Sequence, residues 1–277
     1  MHPVVRGLAR GAHYGSTGVY PLVPGVDAVA RRTDGSLAYA ASPRAPWGTM
    51  PERIATALAF ALPAGADPLA VAAGMNPGMS DWMPLTSHRD AHRSLGTVLV
   101  LGATGLSGGM ALHAARLFGA DRIVAAGRDA ATLNALRSAG FDTADLTDPD
   151  ALARTVADGA PDLVLDYVWG GVAEAAFAAL ERHGLAGETS ETSYVQIGSS
   201  AAATAELPAA VLRSRPLRVS GSGAGSFSQD QLMRELPLMM SYISDGSLPV
   251  AYTTYPFRRV GEAWAHSGRS RAVIVPD

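Results

Sequence analysis

A glycine-rich turn between a strand pattern and a helix pattern is the feature of this sequence that most constrains its fold. In the segment VLVLGATGLSGGMALHAARLFGADRIVAAGRD, Val98–Asp129, an apolar run is followed by Gly102, Gly105 and Gly108 and then by an alanine-rich stretch. Such a turn brings backbone N–H groups at a helix N-terminus close to a pyrophosphate. The spacing is G-x-x-G-x-x-G rather than G-x-G-x-x-G, so the surrounding pattern has to support this interpretation.

The region around the turn alternates between short apolar runs and helical stretches, from Thr97 to about Gly223. Continuous apolar runs are typical of parallel strands that are buried on both faces. We therefore predict an α/β fold with a doubly wound, parallel Rossmann sheet. The predicted strands are VLVL from Val98, RIVAA from Arg122, LVLDY from Leu163, YVQIG from Tyr194 and LRVSG from Leu217. The predicted helices are Gly108–Phe118, Ala130–Ala139, Pro149–Ala157, Val172–His183 and Pro208–Arg213.

The sequence on either side of this region predicts a second domain. Before Thr97, Gly and Pro interrupt short segments every few residues, as in an antiparallel β domain. Near the C-terminus, LPVAYTTYPF, RRVGEAWAHSG and RAVIVPD predict a strand, a helix and a strand. We assign residues 1–84 and 250–277 to a β-rich catalytic domain and residues 85–249 to a dinucleotide-binding Rossmann domain.

The residues at the end of the second predicted strand bear on which dinucleotide would bind. NAD-binding folds place an acidic residue about twenty residues after the glycines, where it binds the ribose 2′-hydroxyl. Here Gly127 occupies that position and Arg128 follows it. A guanidinium binds phosphate through paired, charge-assisted hydrogen bonds, so these residues favour NADP(H). Asp129 leaves NAD open, because a register shift of one residue would supply the acid.

The residue types that the sequence lacks exclude several kinds of chemistry. There is no cysteine, and all 22 basic residues are arginine. Thiolate nucleophiles, cysteine-bound zinc, Schiff bases and the Tyr-x-x-x-Lys pair of short-chain dehydrogenases are therefore excluded. His88 and His92 are four residues apart but stand among charged residues, so we predict no metal site.

Charge and hydropathy exclude further classes of partner. The formal net charge of -3 is too small to indicate a nucleic-acid or anionic-membrane partner. The apolar run from Ile54 is interrupted by Pro63 and Gly65, and the N-terminus lacks the apolar region of a secretory signal. We expect a cytoplasmic protein that acts on a small molecule.

Ser107 offers a competing interpretation of the same turn. Residues 105–109, GLSGG, fit the G-x-S-x-G nucleophile elbow of α/β-hydrolases. An elbow requires its serine at a sharp turn directly after the strand, and here Gly102–Leu106 intervene. An α/β-hydrolase that uses Ser107 is therefore the weaker alternative.

Several segments, taken in order, resemble the zinc-free quinone-oxidoreductase-like branch of the medium-chain dehydrogenases/reductases. The segments that carry this resemblance are HYGSTGVYPLVPGVDAV, NPGMSDW, the glycine turn, VLDYVWG, VQIGS and VSGSGAGS. The resemblance implies that the β-rich domain is GroES-like and is truncated at its N-terminus, because chains of this branch begin with a further hairpin and strand. Either the start codon is miscalled or the domain is shortened.

The resemblance also implies an activity and a set of site residues. It implies an NADPH-dependent reductase of quinones or α,β-unsaturated carbonyl compounds, with a possible homodimer formed through the nucleotide domains. Hydroxyl groups would then replace a metal in stabilising the developing oxyanion, and the catalytic candidates are Tyr14 first, then Ser16 and Tyr167. The expected cofactor-binding residues are Ser80, Gly102, Thr104, Gly105, Leu106, Ser107, Gly127, Arg128, Tyr167, Gly198, Ser199 and Ser222. Asp166 ends a buried strand, where a cap on the following turn is its simplest role.

A second function from another class stays open at this point. The chain would bind NADPH without turnover and act as a redox sensor or scaffold. The residues that the β-rich domain lacks relative to this branch favour this alternative, since they would shape half of the substrate cleft.

Overall fold

The structure, a computed structural model, describes residues 3–41, 46–56, 58–182 and 190–277. The strands are β1 Asp27–Arg31, β2 Leu37–Ala41, β3 Leu58–Ala61, β4 Thr97–Leu101, β5 Arg122–Gly127, β6 Asp142–Asp145, β7 Leu163–Asp166, β8 Thr192–Gln196, β9 Leu217–Gly221, β10 Tyr252–Pro256 and β11 Arg271–Val275. The α-helices are α1 Pro3–Ala9, α2 Pro68–His92, α3 Leu106–Leu117, α4 Ala130–Ser138, α5 Ala151–Ala157, α6 Gly171–Leu180, α7 Ala209–Ser214, α8 Gln229–Ser244 and α9 Val260–Ala265.

The chain divides into two compact units. The first unit consists of Met1–Met79 and Met233–Asp277, and the second is Ser80–Leu232. The assignment of a catalytic role to the β-rich part stays a prediction. None of the helices in the described residues combines the length and the apolar character needed to cross a membrane.

The second unit is built on a six-stranded parallel sheet with the order β6-β5-β4-β7-β8-β9. Every strand pair in it is parallel, and Leu101 at the end of β4 pairs with both Ala126 of β5 and Asp166 of β7. The strand order reverses between β4 and β7, which is the position where open α/β sheets bind ligands. The carboxyl ends of these strands are thus aligned at one edge of the sheet.

The burial of the central strands explains their apolar sequences. The central strands β4 and β7 are fully buried at Val98, Val100, Leu101 and Leu163–Leu165, as strands covered on both faces should be.

The five strands predicted for this region are present, and the α/β class with a separate β-rich unit is confirmed. Strand β6 was not predicted, because DTAD is a short polar edge strand. Helix α6 ends at Leu180, and His183, its predicted end, lies outside the described residues.

The first unit contains two small sheets. Strands β1, β2 and β3 form an antiparallel sheet, and β10 and β11 form a parallel pair connected through α9. The predicted strand, helix and strand near the C-terminus are therefore present. Helix α8 was not predicted as one element, since Pro237 lies inside it and proline removes a helical hydrogen bond.

Polar side chains of strands β1, β2 and β11 interact in this unit, and Asp27 is half-buried among them. The Tyr39 hydroxyl, which is fully buried, donates a hydrogen bond to Asp27 Oδ2 at 3.1 Å. Burial raises the pKa of Asp27 to about 6, although the Tyr39 hydrogen bond and the positive charge of Arg271 act in the opposite direction. Burial also lowers the pKa of Arg271 to about 10. Asp27 therefore stays protonated up to a higher pH in the folded state than in the unfolded chain.

We expect Asp27→Asn to reveal this titration in the stability of the protein. The folded-state pKa is above the unfolded value, so Asp27 contributes stability that is fully present below about pH 4 and is lost as the pH rises through about 6. The free energy of unfolding of the unmodified protein, minus that of the variant, should fall by about 1–3 kcal/mol over this range. Urea unfolding at several pH values measures it, and a constant difference would contradict it.

Candidate functional site

The loops that follow β4, β7 and β8 are joined by backbone hydrogen bonds at the carboxyl edge of the sheet. The Tyr167 amide donates to the Leu101 carbonyl at 3.1 Å, and the Gly198 amide donates to the Asp166 carbonyl at 3.0 Å. The amide of Gly102 donates to the Ala126 carbonyl at 2.9 Å, at the end of β5. These bonds bring most of the predicted cofactor-binding residues to one edge of the second unit.

The glycine turn packs against the start of α3 at a distance that only glycine permits. Gly102 has a φ of 92°, and its carbonyl accepts a hydrogen bond from the Gly105 amide at 3.0 Å. A Cβ at Gly108 would lie 2.4 Å from the Gly102 carbonyl oxygen, which is far inside van der Waals contact. Gly108 therefore allows the first turn of α3 to lie directly on the turn that leaves β4.

The N-terminus of α3 has no side-chain cap. Its N-cap residue is Gly105, and no side-chain hydrogen bond is made there. Within the described residues, no backbone acceptor receives the amides of Leu106 and Ser107. Unsatisfied amides and the positive end of the helix dipole together form a site that attracts an anion.

The last residue of β5 and the two that follow it have the geometry expected of a phosphate-binding position. Gly127 has no room for a side chain, because a Cβ there would lie 2.4 Å from the Thr104 side chain. Asp129 is the N-cap of α4, and its Oδ1 accepts hydrogen bonds from the amide and the hydroxyl of Thr132 at 2.8 and 2.6 Å. Arg128 is exposed and makes no hydrogen bond or ion pair with another described residue. The structure thus uses Asp129 to begin a helix and leaves the Arg128 guanidinium available.

Three predicted hydroxyl residues lie together in the second unit. The oxygens of Ser80 Oγ and Tyr167 Oη are 3.4 Å apart, and Ser222 Oγ donates to the Ser80 carbonyl at 2.8 Å. Burial and the nearby carboxyl of Asp81 raise the pKa of Tyr167 well above its usual range. The Tyr167 phenol therefore holds its proton at neutral pH. Ser199 is exposed in the turn after β8.

Tyr14 and Ser16 lie in the first unit, in the segment that follows α1. Tyr14 is 75% exposed, and its ring lies against that of His13 in a tilted arrangement with 4.1 Å between the centroids. Ser16 Oγ accepts a hydrogen bond from the His13 amide at 3.3 Å. The catalytic roles of Tyr14 and Ser16 stay predictions.

The two alternative sites considered from the sequence find no support in the geometry. Ser107 is the second residue of α3 rather than the apex of a turn, and no hydrogen bond joins it to a described histidine. His88 and His92 stack on each other at 4.3 Å between centroids. Among the described residues, no group of three or more histidine, aspartate or glutamate side chains is placed to hold a metal ion.

Two residues of this region were missed from the sequence. Asp81 is fully buried in α2, and burial raises the pKa of its carboxyl well above the usual value. Tyr194 is fully buried in β8 and donates a hydrogen bond to Asp166 Oδ2 at 2.7 Å. The sequence could have indicated Asp81 only through the presence of a carboxylate inside the apolar segment MSDWM. It could not have indicated Tyr194, which resembles an ordinary core residue of a strand.

Comparisons with known proteins agree with this geometry. A model of the NAD dependent epimerase/dehydratase family matches residues 98–182. A relative from Emericella nidulans, described as the probable NADPH-dependent quinone reductase tdiC, is 33% identical over 227 residues, which is 76% of this chain and 62% of that protein. The chain therefore spans less than two thirds of the length of this curated relative.

Solved structures decide the fold. The quinone oxidoreductase of Thermus thermophilus superposes with a TM-score of 0.70 and 27% identity, covering 96% of this chain and 83% of that one. The Escherichia coli quinone oxidoreductase, crystallised with NADPH, gives a TM-score of 0.74 at 18% identity, covering 100% of this chain and 88% of the other. The chain has the quinone oxidoreductase fold. The fold that this resemblance implies, a parallel Rossmann sheet with a separate β-rich unit, is thus confirmed.

We expect Gly108→Ala to destabilise this quinone oxidoreductase fold by about 1–3 kcal/mol, because the new methyl group overlaps the Gly102 carbonyl. Gly109→Ala is the matched control, since a Cβ there meets only Ala103 O at 3.8 Å. Alanine in a helix should make that variant about 0.5–1 kcal/mol more stable. Urea unfolding measures both variants. Equal effects would show that the turn and the helix are not in close contact.

Proposed function

We propose that this protein is an NADPH-dependent, zinc-independent reductase that transfers hydride to a quinone or an α,β-unsaturated carbonyl compound. The observation that carries the proposal is the uncapped N-terminus of α3 together with Arg128 after the neighbouring strand, which is exposed and pairs with no other residue that the structure describes. The Emericella nidulans relative is described as NADPH-dependent and the Escherichia coli enzyme was crystallised with NADPH, and both support the same cofactor.

The residues of the turn bind the phosphates of the cofactor. The amides of Leu106 and Ser107, together with the hydroxyl of Thr104, face the pyrophosphate at the positive end of α3. Arg128 binds the 2′-phosphate through charge-assisted hydrogen bonds. Because Thr104 fills the space above Gly127, no carboxylate fits where NAD-specific folds place one.

The loops after β7, β8 and β9 bind the nicotinamide half. Tyr167, Gly198, Ser199 and Ser222 belong to these loops, and Ser80 is hydrogen-bonded to Ser222 through its carbonyl. NADPH, when bound, supplies the hydride. The protein's part is to hold the acceptor carbon near the reactive ring and to exclude alternative orientations.

Tyr167 supplies the proton or the hydrogen bond that the reduced acceptor requires. Hydride addition to an enone or a quinone leaves negative charge on the acceptor oxygen, and a neutral phenol can stabilise that charge by donating a hydrogen bond. The raised pKa of Tyr167 keeps the phenol protonated in the working range. Ser80 Oγ, 3.4 Å from Tyr167 Oη, is placed to orient the hydroxyl.

The zinc-independence in this proposal rests on the ligand set. The sequence contains no cysteine, so it cannot supply thiolate ligands. The homodimer and the cytoplasmic location expected from the sequence stay predictions.

Replacing Arg128 tests the choice of cofactor. We expect Arg128→Ala to raise the Kd for NADPH by about 10–100-fold and that for NADH by less than about twofold, because only NADPH carries the 2′-phosphate. Arg213→Ala is the control, since it removes the same charge from α7, whose last turn leads to the opposite edge of the sheet. Fluorescence titration measures both cofactors. Equal losses for NADPH and NADH would contradict the phosphate role.

Replacing Tyr167 tests the chemistry. We expect Tyr167→Phe to lower kcat for enone reduction by about 10²-fold while the Kd for NADPH stays within a few fold. Tyr14→Phe, assayed in parallel, determines which of the two phenols serves the reaction. If NADPH binds but is oxidised by no quinone or enone, the protein is not a reductase and the sensor or scaffold role is favoured.

A further inference from the structure

The Asp166 carboxylate is the centre of a buried hydrogen-bond cluster that the reaction does not itself use. Asp166 is fully buried at the end of β7. Its Oδ1 accepts hydrogen bonds from the amides of Val168 and Trp169 at 2.7 and 3.0 Å. Its Oδ2 accepts one from the Tyr194 hydroxyl at 2.7 Å. Both carboxylate oxygens therefore accept hydrogen bonds, one from the turn after β7 and the other from the neighbouring strand β8.

This cluster holds the next four residues in a conformation that they would not adopt alone. Trp169 has a φ of 61°, which is unusual for a bulky residue, and Gly170 follows with a φ of 59°. The Trp169 ring is packed edge-on against Phe177 and Tyr194 at 6.1 and 6.4 Å between centroids. Left-handed backbone at a tryptophan persists only where the surroundings determine it, and the Asp166 oxygen and these rings do so here.

The same loop is attached to the loop after β8. A Cβ at Gly198 would lie 2.7 Å from the Tyr167 carbonyl oxygen, so the two backbones are in direct contact. Ser200 Oγ donates to the Tyr167 carbonyl at 3.0 Å, and the Ala201 amide donates to the Val168 carbonyl at 2.9 Å. A rearrangement of the turn after Asp166 would therefore act on both loops.

We propose that Asp166, with Tyr194, is the positioning residue for the nicotinamide half of the cofactor site, and that it acts by fixing the Tyr167–Gly170 turn. This inference rests on the proposed function. Asp166 does not touch the reacting atoms. It sets where the Tyr167 phenol and the Gly198 backbone lie. Among the described residues, its carboxylate accepts hydrogen bonds from Val168, Trp169 and Tyr194 and from neither α3 nor Arg128, on which the adenine half of the site is built.

The chemistry of the side chain supports a carboxylate rather than an amide at this position. An acid accepts on both oxygens, whereas the NH₂ group of an asparagine cannot accept the Tyr194 hydroxyl or a backbone amide. Burial raises the pKa of Asp166, and the hydrogen bonds from Trp169, Tyr194 and Val168 oppose that shift. Losing one of these hydrogen bonds leaves a buried polar atom without a partner, which costs free energy of folding. The turn would then rearrange.

The test compares two ligands that share the adenine half of the cofactor. We expect Asp166→Asn to raise the Kd for NADPH by about tenfold and to leave the Kd for 2′,5′-ADP within about twofold, since 2′,5′-ADP lacks the nicotinamide. Tyr194→Phe removes one hydrogen-bond donor and keeps the ring. It should raise the Kd for NADPH by only about threefold and again leave the Kd for 2′,5′-ADP nearly unchanged. This second variant keeps the test decisive if the first does not fold.

Asp162→Asn is the matched control. Asp162 immediately precedes β7 at its opposite end, and its Oδ2 accepts a hydrogen bond from the Thr97 amide at 2.7 Å. The Asp162→Asn variant should unfold at a lower urea concentration and should bind NADPH and 2′,5′-ADP as tightly as the unmodified protein does. Equal weakening of both ligands by Asp166→Asn and Tyr194→Phe, or weakening of neither, would overturn the positioning role. If the unmodified protein binds neither ligand, the proposed function fails and the inference fails with it.

Discussion

The contact between the first turn of α3 and the backbone that leaves β4 is the constraint on which the candidate site depends. At Gly108 the helix lies so close to the Gly102 carbonyl that a single methyl group would not fit. This closeness points the uncapped amides of α3 at the carboxyl edge of the sheet, where the loops after β4, β7 and β8 meet. The same edge of the sheet carries Arg128, the Tyr167 phenol and the Asp166 cluster, which is why these groups belong to the candidate site. Without that contact there would be a parallel sheet but no anion site.

The sequence predicted the parts of the molecule whose residue patterns report directly on backbone geometry. Continuous apolar runs predicted strands buried on both faces, and the glycines at positions 102, 105 and 108 predicted a tight strand-to-helix turn. The ambiguity between Arg128 and Asp129 could not be resolved at that level, since it depends on which residue begins α4. The structure gives that position to Asp129, whose Oδ1 accepts from Thr132, and so makes the arginine the available group.

Other features were beyond the sequence for physical reasons. Helix α8 contains Pro237, and only its tertiary packing makes an interior proline tolerable. Strand β6 has too few apolar residues to produce a pattern. The pairing of Asp166 with Tyr194 joins residues on different strands, and the sequence around Trp169 gives no sign of its positive φ. Asp81 and Tyr194 entered the candidate site only because the fold brings them there.

Nuclear magnetic resonance of the backbone amides during an NADPH titration tests the central claim most directly. At 28.6 kDa the protein is within reach of deuterated, transverse-relaxation-optimised spectra. If the turn binds the pyrophosphate, the amide protons of Leu106 and Ser107 should shift downfield as they become charge-assisted donors. The amide resonances of α7, which leads to the opposite end of β9, should not shift. Saturable binding that leaves the amides at the start of α3 unchanged would contradict the account, because the dinucleotide would then be bound elsewhere.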